Sequence, residues 1–171
     1  MSSRLVKLGA AAGLALALAA CHSKNTHAQE PSPAVTAQGD AFLAKMAKTP
    51  GVQTLPSGLE YKVARTGPAD GLKPRMGDEV KVHYQGTLVD GTVFDSSYDR
   101  GEPAVFALGE VIPAWNEALQ LMKPGDVWYL YVPAKLAYGD QEKGPIPAGS
   151  VLVFKVELLG VLPRGGGAAQ G

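Results

Sequence analysis

The sequence predicts an α+β domain, an antiparallel β-sheet wrapped around one short α-helix. Three observations predict it. From Leu59 onward apolar residues recur at every second position, the period of a half-buried strand. One internal segment has a helical period instead, with Ile112, Trp115, Leu119 and Met122 on one face. The chain also carries 21 Gly and 13 Pro, a turn-rich composition that argues against a helical bundle.

The elements follow in order. Asp40 can cap a helix over Ala41 to Lys48, with Phe42, Leu43 and Met46 on one face and Lys45 and Lys48 near its negative end. Thr49-Pro50-Gly51 stops it. Such a helix is too short to stand alone, so it is expected to dock on its own domain or on a second subunit, docking on its own domain being the simpler reading. Leu59, Tyr61 and Val63 then alternate with Glu60, Lys62 and Ala64, and Val80, Val82 and Tyr84 alternate with Lys81 and His83. Asp90-Gly91 is a hairpin turn signal between Thr87-Leu88 and Val93-Phe94. The helical segment opens on Pro113, which a first turn tolerates, and closes on Lys123-Pro124-Gly125. Val127 to Val132 is rich in aromatic and β-branched residues. Leu152, Phe154, Val156 and Leu158 share one face of a last strand. The sum is roughly five or six strands and one helix.

Composition narrows the function. The chain has 171 residues, 46% apolar and 19% charged, enough apolar content for a packed core. Sixteen basic residues balance sixteen acidic ones, so no electrostatic footprint for nucleic acid is present. One cysteine makes neither an internal disulfide nor a cysteine-based zinc site, and three histidines leave little for a metal cluster.

The single cysteine has a specific place. Arg4 and Lys7 precede an uncharged, Ala- and Leu-rich run from Leu8 to Ala20, the layout of a signal peptide and too short for a membrane span. It ends Leu18-Ala19-Ala20-Cys21, a pattern similar to the bacterial lipobox, in which the cysteine is diacylated and becomes the new N-terminus. An ordinary cleaved signal with an incidental cysteine is the alternative. Cleavage leaves 14 basic residues against 16 acidic ones. His22 rather than Asp follows the cysteine, which by analogy with enteric sorting points to the outer membrane, facing the periplasm. The expected organisation is a signal segment (1–20), a flexible linker after lipidated Cys21 (21–39), a short helix and connector (40–58), one domain (59–162) and a disordered Gly-rich tail (163–171). The linker, with Pro31, Pro33 and the solvated His22 and His27, would reach on the order of 20–25 Å.

Six blocks then occur in a fixed order: Val82-His83-Tyr84-Gln85-Gly86, Asp90-Gly91, Phe94-Asp95-Ser96-Ser97, Val111-Ile112-Pro113-Ala114-Trp115, Ala137-Tyr138-Gly139 and Leu152-Val153-Phe154. Together they resemble the FKBP-type peptidyl-prolyl cis-trans isomerases over nearly the whole domain. The stretch from Phe42 to Tyr61 is similar to their bacterial envelope subgroup, the macrophage infectivity potentiator and FkpA-like proteins, without the long helical dimerisation region of that subgroup. The resemblance implies an FKBP-like fold and an apolar proline pocket formed by Tyr84, Phe94, Val111, Ile112, Trp115 and Phe154, with Trp115 as its floor. It makes the Tyr138 hydroxyl and the Ile112 backbone N–H donors to substrate carbonyls. It sets Asp95 at the wall, held by Arg100 and the Tyr84 hydroxyl, and puts Ile146 on a flap (140–148) that covers the proline. Tyr84, Asp95 and Tyr138 are the implied catalytic residues. A wall position that is aromatic in eukaryotic members is Ala104 here, which is expected to open the site on that side; the flap is also shorter.

The residues alone leave a blander reading. Phe94, Trp115 and Phe154 can be plain core, and Asp95 with Arg100 a surface ion pair of small worth. Where the resemblance holds, the partners are proline-containing polypeptides and macrolides of the rapamycin type, no cofactor is needed, and the membrane is met through the lipid anchor. A proline-segment-binding chaperone without turnover, or a surface virulence factor, would use the same pocket.

Overall fold

The computed structural model describes residues 30–164. The signal-like segment, Cys21, the first part of the linker and the tail from Gly165 lie outside the described residues. Seven strands and two α-helices are present in the described part. The strands are β1 (Val52–Thr54), β2 (Glu60–Arg65), β3 (Glu79–Leu88), β4 (Val93–Ser96), β5 (Ala104–Ala107), β6 (Val127–Val132) and β7 (Leu152–Leu162). The helices are α1 (Pro33–Met46) and α2 (Pro113–Leu121). Every strand pairing is antiparallel, in the order β1-β2-β6-β7-β3-β4, with β5 also paired to β3.

The sheet is built around β3. One edge of β3 pairs with β7 along its whole length. Its other edge is shared: residues 79–82 take β5 and residues 85–87 take β4. The chain between β4 and β5 therefore leaves the sheet halfway along β3 and carries Arg100 beside Tyr84. Val80, Val82 and Tyr84 of β3, Leu130 and Val132 of β6, and Leu152 to Leu158 of β7 at alternate positions are all buried on one face. That face meets Ala114, Trp115, Ala118 and Leu119 of α2. Period two on the strands and period 3.6 on the helix thus point at the same core. Each fully buried Leu or Val there contributes roughly 1.5–3 kcal/mol by leaving water.

Three details differ from the sequence reading. Two short strands, β1 and β5, are additional; with three and four residues they show too few alternations to be read as strands. α1 starts at Pro33, inside the stretch expected to be a flexible linker, and Asp40 lies within the helix instead of capping it. Pro33, expected in the linker, occupies the first turn, where its missing N–H costs nothing and its fixed φ suits the helix. Finally, Arg164, expected in the tail, is tied down: its N–H donates to Asp78 Oδ1 at 3.1 Å and its guanidinium pairs with Glu79. Phe42, Leu43 and Met46 are half-buried, and Phe42 stands edge-on to Tyr131 at 5.9 Å between ring centres. The helix docks on its own domain.

Candidate active site

A cavity of about 350 Å³ opens between α2, the β3–β4 end of the sheet and the flap. Its floor is Trp115, held by the first turn of α2. Three rings meet the indole nearly at right angles: Tyr84 at 5.1 Å, Phe106 at 5.5 Å and Phe154 at 5.5 Å. Phe94 stands edge-on to Phe154 at 5.6 Å. Edge-to-face pairs of this kind add roughly 0.5–1.5 kcal/mol each beyond area burial. They fix a rigid apolar concavity before any ligand arrives. Trp115 is only 4% exposed, yet it lines the opening rather than being sealed off from it.

Gly86 makes the concavity possible. A Cβ at this position would lie 2.5 Å from Phe94 Cζ and 2.9 Å from Phe154 Cε1. Only a residue without a side chain lets both rings close over β3. Ser97 performs the matching task at the end of β4. It is fully buried; its Oγ accepts the Tyr84 N–H at 2.8 Å, and its own N–H donates to the Tyr84 carbonyl at 2.9 Å. This double clasp fixes the backbone from which the Tyr84 ring projects. His83, next along β3, faces the other way and stacks on Tyr98 at 4.7 Å.

The wall of the cavity is polar on one side. The Tyr84 hydroxyl donates to Asp95 Oδ2, and Arg100 donates to Asp95 Oδ1 and, at 3.0 Å, to the Tyr84 oxygen. The guanidinium also lies 5.5 Å from the Tyr84 ring centre. Burial alone pushes the Asp95 carboxyl up, but hydrogen bonds from Tyr84 and Arg100, with the nearby positive charge, outweigh it and hold the group below the usual carboxylate range. Burial, reinforced by the bond to Asp95, pushes the Tyr84 phenol up. Asp95 is therefore anionic and Tyr84 neutral around neutral pH.

On the opposite side stand two donors. Among the described residues, neither the Ile112 N–H nor the Tyr138 hydroxyl has a hydrogen-bond partner, and both residues line the cavity. Ile112 occupies the N-cap of α2, so its N–H projects from the start of a helix instead of into it. Asn116 positions this stretch. Its Oδ1 accepts the Gly109 N–H at 2.8 Å and its Nδ2 donates to the Val111 carbonyl at 3.0 Å.

Of the residues singled out in the sequence, Tyr84, Phe94, Asp95, Val111, Ile112, Trp115, Tyr138 and Phe154 surround this one cavity. Arg100 does not line it but braces the two residues that do. Ile146 differs from expectation: it is 4% exposed, packs into the core and is not among the lining residues. The flap residue at the cavity is Lys143. Ala104 also differs. It packs against the core and is not among the residues lining the cavity, whereas Phe106, two residues on and on the same face of β5, is. Phe106, Glu110, Lys143 and Asn116 were missed by the sequence reading. Phe106 is an aromatic residue two positions after Ala104, the wall position already singled out, and that proximity could have signalled it; the others depend on loop paths that no periodicity encodes.

Comparisons with known proteins agree with this geometry. The family model described as FKBP-type peptidyl-prolyl cis-trans isomerase matches residues 71–159. The model of the domain amino terminal to that isomerase matches residues 10–63. The chain is 54% identical over 124 residues to the FKBP-type peptidyl-prolyl cis-trans isomerase FkpA of Aeromonas hydrophila, covering 72% of this chain and 46% of that protein. It is 51% identical over 126 residues to outer membrane protein MIP of Legionella longbeachae, covering 73% of this chain and 53% of that protein. The crystal structure of FkpA from Escherichia coli superposes with a TM-score of 0.72 at 46% identity, over 76% of this chain and 60% of the other. The chain thus spans about half the length of the curated relatives it matches. An aromatic cavity on an antiparallel sheet, the ordered motifs that build it and these matches make the chain a member of the FKBP-type peptidyl-prolyl cis-trans isomerase family.

Proposed function

We propose that the chain accelerates cis–trans rotation of X-Pro peptide bonds in folding proteins of the bacterial cell envelope. The observation that carries this is the aromatic cavity floored by Trp115, with an ionised carboxylate on one wall and two hydrogen-bond donors on the other. Rotation about an X-Pro bond breaks no covalent bond. It crosses a barrier of about 18–20 kcal/mol and takes tens to hundreds of seconds unaided. The barrier reflects amide resonance, which places charge on oxygen and nitrogen. Twisting the bond removes that charge separation, so dry apolar walls favour the twisted state over either planar one. The rings of Tyr84, Phe94, Phe106 and Phe154 supply those walls. The Tyr138 hydroxyl and the Ile112 N–H are suited to hold the flanking carbonyls, so that one side of the bond stays fixed while the other turns. Asp95, with its oxygens committed to Tyr84 and Arg100, keeps the Tyr84 ring in place and puts negative charge at the wall. Lowering the barrier by about 5 kcal/mol would bring a ~100 s step to tens of milliseconds.

The test is a protease-coupled assay on an Ala-Leu-Pro-Phe-type peptide with the native chain, Asp95→Ala and Tyr138→Phe. Each substitution is expected to lower kcat/KM by about tenfold, the worth of one strong hydrogen bond, while the fold persists. Native activity equal to buffer would leave proline-segment holding without turnover as the function of the cavity.

The site of action is part of the same proposal. The run ending Leu18-Ala19-Ala20-Cys21 supports a lipid anchor at Cys21, and a relative carries the name outer membrane protein MIP. Two acyl chains anchor stably where one is marginal. Cys21→Ser is expected to move the protein from the membrane to the soluble fraction or to leave it unprocessed. A variant that is still cleaved at the same bond and still sediments with membranes would contradict the anchor.

A further inference from the structure

α1 and the residue ahead of it meet the C-terminal root of the flap, Gly149 and Val151, at two close contacts. Gly39 is the one buried residue of α1. A Cβ there would fall 2.6 Å from Val151 Cγ2 and 3.2 Å from Val151 Cβ, so the helix backbone itself rests on the Val151 side chain. Two residues before the helix, Pro31 occupies the place where a side chain of Gly149 would be: a Cβ on Gly149 would meet Pro31 Cβ at 2.6 Å and Cγ at 3.3 Å. Gly149 also has φ +75°, a conformation that L side chains resist. Gly149 and Val151 are the C-terminal root of the flap. The Gly149 N–H donates to the Gly139 carbonyl at 2.9 Å, which closes the flap base next to Tyr138. At the tip, the N–H groups of Lys143 and Ile146 donate to each other's carbonyl at 2.9 and 3.0 Å. Among the described residues the flap has no other strand partner. Besides the Gly149–Gly139 hydrogen bond, α1 on one side and the start of β7 on the other hold its root. A cavity of about 130 Å³ remains beside the contact, bounded by Val35 and Gln38 of α1, by Pro147 of the flap and Ser150 at its root, and by Leu88 to Asp90 at the end of β3. That void gives the root room to shift if the helix moves.

We propose that α1 is a positioning element for the flap, acting through Gly39 on Val151 and Pro31 on Gly149, and that this seat sets how tightly the cavity holds a prolyl substrate. The proposal rests on the cavity being the substrate site. Gly39 and Val151 touch no substrate; they act through the flap residue Lys143 and through Tyr138 at the flap's N-terminal base, both of which line the cavity. Helix preference alone would place Ala at position 39, since glycine inside a helix is the poorer choice by roughly 0.5–1 kcal/mol. The close approach to Val151 accounts for the glycine.

The test uses the full chain and three variants: Gly39→Ala, Val151→Ala and the double variant. Amide hydrogen exchange is read at Lys143, Ile146 and Gly149, and KM and kcat are read on a prolyl peptide. In Gly39→Ala the flap amides are expected to exchange about five- to tenfold faster and KM to rise about threefold, with kcat nearly unchanged. The double variant, which removes the methyl that the new Cβ strikes, is expected to restore both. Flap exchange at the native rate in Gly39→Ala, or no restoration in the double variant, would overturn the proposal. If Gly39→Ala does not fold, Pro31→Gly, which only removes atoms, decides: the flap amides must exchange faster, and native rates there refute the idea. A native chain without isomerase activity would instead sink the proposed function, and the exchange measurement would still read the α1 contact.

Discussion

At the residue scale, the site works by holding protonation states fixed. Asp95 lies below the usual carboxylate range because Tyr84 and Arg100 outweigh the cost of its burial, and Tyr84 lies above the usual phenol range. Neither group changes charge near neutrality. The account therefore predicts a kcat/KM that is flat between about pH 5 and pH 8; a bell-shaped profile would reveal proton transfer that the proposed rotation does not use. Glu60 is the opposite case. It is 5% exposed, its Oε2 has no hydrogen-bond partner among the described residues, and burial pushes its carboxyl up. For a carboxyl raised on folding, the native state binds the proton more tightly, so stability falls as pH rises through the folded-state value. Glu60→Gln should raise Tm at pH 7 by about 2–4 °C, and the gain should vanish below about pH 4. A lower Tm at pH 7 would mean that the charged form is satisfied. Much of the site could be read from sequence at this scale. Tyr84, Phe94 and Phe154 fall on the inward face by strand period, and Gly86 and Ser97 belong to the same ordered blocks. Glu60 alternates with the inward-facing residues of β2, and nothing in an alternating pattern shows that its face is buried, with Tyr131 as its cross-strand partner.

At the scale of elements, the start of α2 is the most consequential piece. Pro113 fixes the first turn, Ile112 is left outside it with an N–H that has no partner among the described residues, and Asn116 ties Gly109 and Val111 to the helix. Asn116→Ala removes both bonds without touching the cavity. It is expected to lower kcat/KM by about three- to tenfold and to leave Tm within a few degrees, as a loosened loop misplaces the Ile112 donor. Unchanged kinetics would show that the Val111–Ile112 path is set by packing alone. α2 itself was legible, because its apolar spacing, opening proline and closing Pro-Gly agree. α1 was half legible: its apolar face was visible, but its first two turns were read as linker. The signal there is a tertiary one, the fit of Gly39 on Val151, and single-residue propensities do not carry it. The flap was misread in one respect, since Ile146 turns into the core and Lys143 takes the place at the cavity. A short loop with a Pro-Ile-Pro tip has no period to say which side chain turns inward.

At the scale of the whole molecule, the architecture divides labour. One long strand, β3, is flanked by β7 on one edge and by β4 and β5 on the other, and this split edge lets aromatic residues from four strands and one helix converge. The core behind them needs no chemistry, and the cavity in front of them needs no bond-making group. The central claim is that this cavity lowers the rotational barrier of a prolyl bond. The measurement that tests it most directly is two-dimensional NMR exchange between the cis and trans signals of an X-Pro peptide at catalytic protein concentration. The account predicts exchange cross-peaks that grow with added protein and disappear when a rapamycin-type macrolide fills the cavity. Exchange at the buffer rate, with the protein folded and the peptide in contact with Trp115, would contradict it.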